Sequence, residues 1–154
     1  MTKLLLSIHV LASILVVGPI AVAASLFPRY ARQATGDDGR SAGAAVLLHR
    51  ICSGYAIVGV AVPVFGFATG AQLGVLTDAW LITSIVLTTI AAAILALAIL
   101  PGQERMIETS VAGAPGDETS RTAARLAGLT GVFNLLWAVV VVLMIVRPGS
   151  TTGA

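Results

Sequence analysis

Hydrophobic residues in this chain come in long unbroken runs rather than in the half-polar alternation of water-facing helices or strands, and the runs are spaced by short polar stretches. The first, residues 4 to 27, reads LLLSIHVLASILVVGPIAVAASLF and contains one ionisable side chain, His9. About 20 apolar residues rising 1.5 Å each cross a hydrocarbon core of about 30 Å, so this run is long enough to span a bilayer as a helix. Three further runs of the same kind predict an all-α, integral membrane four-helix bundle in a single domain. The expected helices are about 4–30, 41–69, 78–100 and 117–146. Proline inside a helix removes one donor and crowds the preceding turn, so kinks are expected at Pro19, next to Gly18, and at Pro63.

The polar stretches set the boundaries. Phe27-Pro28-Arg29-Tyr30 marks the exit of helix 1 from the membrane, and Thr35-Gly36-Asp37-Asp38-Gly39 has turn chemistry. Ser41 is the expected N-cap of helix 2, and Asp78, ahead of Trp80, that of helix 3. Pro101-Gly102 is expected to end or kink helix 3. Gly66, Gly70 and Gly74 recur every four residues. They form either one smooth helix face or, with Gly70 as the stop, a face that ends in a loop. Helix 4, from Asp117 to Val146, would extend about 45 Å, so its first turns with Arg121 and Arg125 should project beyond the hydrocarbon.

Composition agrees with a membrane solvent: 57% hydrophobic and 10% charged among 154 residues, with mean hydropathy +0.98, against about a quarter charged in a soluble domain. The net charge of +2 is carried by too few groups to suggest a nucleic-acid partner. Its placement is more informative. Seven arginines (29, 32, 40, 50, 105, 121, 125) flank the 1–2 and 3–4 connections, against Lys3 and Arg147 on the other face. The positive-inside rule then puts the arginine-rich loops, 28–44 and 101–125, in the cytoplasm of a bacterial plasma-membrane protein, with both termini outside. The first run is read as an uncleaved helix rather than a signal peptide, being longer than a typical h-region.

Candidate chemistry is sparse. The single Cys52 rules out an internal disulfide, and no Cys/His cluster has metal-ligand spacing, so no cofactor is expected. Two histidines on membrane helices raise a haem reading, but His9 lies near the outer end of helix 1 and His49 near the inner end of helix 2, roughly 15 Å or more apart along the membrane normal. His9 is expected to bond a kinked backbone or a neighbouring helix; the alternatives are the interface, or a quinone or proton path. Asn134 and Trp137 share a face of helix 4. No acid sits mid-span, and no nucleotide loop, nucleophile elbow or zinc motif is present, so nothing recommends an enzyme.

The early His9 in HVLASILVVGP and the His49-Arg50 pair opening helix 2 resemble a domain-of-unknown-function family of four-helix bacterial membrane proteins. In size and Ala/Val/Gly-rich composition the chain is also similar to small accessory proteins of actinobacterial respiratory chains, nearest in character to the prokaryotic respiratory supercomplex association factor. That resemblance implies a cofactor-free, non-catalytic subunit that binds lipid and other membrane subunits, such as a respiratory oxidase or the cytochrome bcc complex. The rival is a small redox, haem- or quinone-binding membrane protein using His9. Candidate helix-packing or partner contacts are His9, Gly18, Pro19, Ala21, Ser25, Gly66, Gly70, Ala124, Gly128, Asn134 and Trp137.

Overall fold

The computed structural model describes residues 2–34, 39–111 and 116–149, and these form an all-α bundle of four membrane-spanning segments. The order is α1 (Thr2–Gln33), α2 (Gly39–Gly59), α3 (Ala61–Leu73), α4 (Ala79–Ile94), a π-helical turn (Leu95–Ile99), α5 (Leu100–Val111) and α6 (Gly116–Val146). Spans 1 and 4 are single helices. Span 2 is α2 with α3, and span 3 is α4, the π turn and α5. Many large apolar side chains face outward, Ile57, Leu97 and Ile145 among them, as expected where lipid replaces water as solvent.

The interior has two layers. Val16, Ile20, Ala23, Ala24, Cys52, Val62, Ala91, Leu95, Ile99 and Phe133 form the larger cluster. Phe27, Ala31, Ala45, Met106, Ala123 and Leu126 form the second, towards the arginine-rich end. The number of alanines in both lets backbones approach closely, which is how helices gain packing energy when the surroundings are as apolar as their side chains.

Prolines act differently from one span to the next. At Pro63 the ladder is interrupted: α2 stops at Gly59 and α3 starts at Ala61. Val60 reaches back only to Ile57 (3.3 Å). α1, by contrast, continues through both Pro19 and Pro28 to Gln33, slightly past the expected end at about residue 30. Pro101 does not end span 3 either. Immediately before it the helix widens, with the Leu100 N–H bonding the Leu95 carbonyl five residues back. A proline at 101 would otherwise crowd the Leu97 carbonyl and leave it without a donor; the wide turn takes up that misfit. The span then continues eleven residues past the expected boundary at 100, from Pro101 to Val111.

Caps also depart from expectation. Ser41 lies buried in the first turn of α2, which starts at Gly39, and is not its N-cap. Asp78 does occupy the N-cap of α4, but its carboxylate makes no cap bond and instead accepts from Trp80 Nε1 (3.0 Å). Gly74, with φ 71°, is the left-handed stop of α3: its N–H bonds the Ala71 carbonyl and that of Val75 bonds the Gly70 carbonyl, both at 3.2 Å. Gly66 and Gly70 are therefore helical and Gly74 is the terminator. Near Trp80, Arg147 ends α6 with φ 45° and stacks its guanidinium 5.6 Å from the indole.

Candidate functional site

Polar side chains inside a membrane bundle are costly unless partnered, so their partners show what each is there to do. His9 on α1 and the α3 backbone meet across the Pro63 break. His9 Nδ1 lies 2.9 Å from the Val62 carbonyl. A carbonyl only accepts, so Nδ1 is the donor. The ring also lies on Gly66, where a Cβ would come within 2.8 Å of His9 Cε1. Val62 and Gly66 are i and i+4, so one helix face offers the imidazole both an acceptor and a space. His9 thus binds a neighbouring helix, one of the roles anticipated for it.

A second network spans the other end of the interior. His49 Nδ1 donates to Gln103 Oε1 (3.1 Å), and Ser53 Oγ approaches His49 Nε2 at 3.4 Å. Gln103 Nε2 reaches Cys52 Sγ at 3.7 Å, and that sulfur lies 4.0 Å from the Ile20 carbonyl. Read by donor, the chain runs Ser53 to His49 to Gln103 to Cys52 to Ile20 and joins spans 1, 2 and 3. Gln103 is 1% exposed and Cys52 fully buried. Sequence reasoning gave Cys52 no polar role and passed over Gln103 and Ser53. One signal was available: His49, Cys52 and Ser53 stand at i, i+3 and i+4, a polar stripe on one face of an otherwise apolar helix. Gln103 lies beyond Pro101, where helix 3 was expected either to end or to kink, and nothing in the sequence pairs it with His49.

The two histidines do not meet. His9 contacts the chain at Val62 and Gly66, the first of which is thirteen residues beyond His49 along span 2, or about 20 Å at helical rise. They cannot clamp one haem within a single chain. Among the described residues no three His, Cys, Asp or Glu side chains come together.

Span 4 carries the remaining candidates. Asn134 Nδ2 bonds Ser25 Oγ (3.3 Å), and Ser25 in turn donates to the Ala21 carbonyl (2.6 Å), tying span 4 to span 1. Trp137 packs edge-on against Phe133, with centroids 6.3 Å apart. Asn134 Oδ1, Trp137 Nε1 and Thr130 Oγ1 are buried without partners. Gly70 is buried against Leu81 and Leu76. Gly18, Ala124 and Gly128 face outward instead, and a Cβ at Gly18 or Gly128 would touch nothing within 4 Å. Pro19 is half-buried in α1.

Four long apolar helices in one bundle agree with the comparison by family. Residues 3–148 match the family described as "Predicted integral membrane protein (DUF2269)". The chain belongs to the DUF2269 family. No curated protein and no solved structure matches it. As a DUF2269 member it is a multi-pass membrane protein, and the family description carries no activity.

Proposed function

We propose that this DUF2269 protein is a non-catalytic accessory subunit that packs against larger integral membrane proteins in a bacterial plasma membrane. The observation that carries this reading is the outward face of α6. Ala124, Gly128, Gly131 and Ala138 are all exposed, and a Cβ at either glycine would meet nothing within 4 Å. Inside the fold, Gly66, Gly70 and Gly102 are each closely approached by a side chain, so those glycines have an intramolecular reason. The outer ones have none, and small residues on a lipid-facing helix permit close approach of another helix. As the partner we propose a respiratory oxidase or cytochrome bcc–oxidase supercomplex, on the resemblance in size and composition alone.

The experiment is gentle-detergent purification through a tag on this chain, with mass spectrometry of what accompanies it. Gly128→Leu with Gly131→Leu should leave helix content unchanged and release the partner subunits. Co-purification undiminished by these substitutions would contradict the proposed face. Sidedness follows the seven-to-two bias of arginine and lysine. A cysteine at Thr77, in the α3–α4 connection, should react with an impermeant reagent from outside intact cells, against a quiet background because Cys52 is buried. Labelling only after lysis would reverse the orientation.

One observation favours the rival reading. The Nδ1–H bond to the Val62 carbonyl orients the His9 ring by one nitrogen only, the way a ligating histidine is held by its second nitrogen. The same purification separates the two: a lone protein with its own haem or quinone, lost on His9→Ala, would replace the accessory reading.

A further inference from the structure

Spans 3 and 4 enclose a crevice of about 400 Å³ at their arginine-rich end. We infer that it binds one phospholipid with a primary-amine headgroup, a phosphatidylethanolamine, in that leaflet. Its walls change character in order along the membrane normal. Leu97, Ala98 and Leu129 line the deepest part, Arg105 and Arg125 come next, and Glu108, Glu118 and Thr119 lie beyond them. From Arg105 to Glu108 is about 4.5 Å along α5, and from Arg125 to Glu118 about 10 Å along α6. A membrane aminophospholipid presents groups in the same sequence, with acyl chains deepest, phosphate next and ammonium outermost.

The charges are available for a ligand. Arg105 and Glu108 stand at i and i+3, where helical ion pairs form. Yet among the described residues neither they nor Arg125 and Glu118 are in an ion pair. Thr119 Oγ1 gives an independent indication: the residue is 4% exposed, its hydroxyl has no partner, and it lines the crevice. Two guanidiniums match a phosphate diester. Two carboxylates and a hydroxyl match the three N–H donors of a primary ammonium. A purely anionic headgroup would place its outer portion against Glu108 and Glu118 with nothing to neutralise them. Leu126, seated within 2.6 Å of a Cβ position at Gly102, helps form the crevice floor, and the volume accommodates a headgroup and glycerol rather than a whole diacyl lipid.

The test is native mass spectrometry of the full chain in detergent, titrated with phosphatidylethanolamine, phosphatidylcholine or phosphatidylglycerol of identical acyl chains, and with free glycerophosphoethanolamine. Phosphatidylethanolamine should be retained in preference to both other lipids, because trimethylation removes every N–H donor and glycerol supplies no charge. The free headgroup should not compete at equal concentration. Arg105→Gln with Arg125→Gln should weaken retention of phosphatidylethanolamine by about tenfold or more, the scale of a lost charge-assisted hydrogen bond. Glu108→Gln with Glu118→Gln should instead abolish the preference over phosphatidylcholine while leaving some retention of both. Circular dichroism checks that each double variant keeps its helix content; should one lose it, the corresponding single substitutions carry the test with the same direction. Equal retention of the three lipids by the unaltered chain, or undiminished phosphatidylethanolamine retention in the folded arginine variant, would overturn the assignment. Equal competition by the free headgroup would replace a lipid site with a soluble phosphoamine site.

Discussion

The two histidine neighbourhoods solve one problem in opposite ways. At His9 a single side chain crosses from α1 to α3, bonds a main-chain carbonyl beside a proline break and fills the space left by a glycine. At His49 the imidazole sits in a series of side chains, with Ser53 on one nitrogen and Gln103 on the other, and Cys52 beyond. The first contact depends on shape, because the acceptor is backbone and no choice of side chain can remove it. The second depends on chemistry, since each member needs the next to be polar. The two ends of the bundle should therefore fail under different substitutions.

Gly66→Leu is the largest expected disruption. Even its Cβ falls 2.8 Å from His9 Cε1, so the imidazole must leave, and overpacking of this kind costs about 3 kcal/mol. Reversible unfolding in mixed micelles would measure it, and His9→Ala in the same chain should recover part of the loss. Absence of any recovery would mean that the glycine is needed for another reason. Gln103→Leu comes next, at about 2 kcal/mol, because it leaves the half-buried His49 Nδ1–H without its acceptor. Here removing the second partner, His49→Leu, should give a double variant less destabilised than the sum of the two singles. His9→Ala alone should cost about 1 kcal/mol, the scale of one interhelical bond in a membrane. Ser25→Ala is the smallest, about 0.5 kcal/mol, since its 3.3 Å contact with Asn134 is long and Ser25 is exposed.

The same comparison explains what could be read before the structure. Spans were legible because apolar runs of this length have few other uses, and the separation of the histidines followed from their positions near opposite ends of their helices. The His9–Gly66 contact was half legible: both residues stood out, one as a polar group in an apolar run and one as a member of a glycine repeat, but nothing in the order of residues says that they touch. The pairing of Gln103 with His49 was not legible, although a kinked continuation past Pro101 was one of the two expectations. Pro101 is locally a helix breaker, and only the wide turn at Leu95–Ile99, itself a run of ordinary helix formers, lets the chain continue and bring the amide to His49. The crevice between spans 3 and 4 was not legible either: five of its fourteen lining residues follow that proline in span 3, and nothing in the order of residues says that they face span 4.

Both histidines are held here to be structural ties rather than ligands, and the optical spectrum of the purified, partner-free chain tests this most directly. The expected result is a spectrum with protein absorbance alone, unchanged between the unaltered chain and His9→Ala. A stoichiometric Soret band, present in the unaltered chain and lost in His9→Ala while the helix content stays the same, would contradict it.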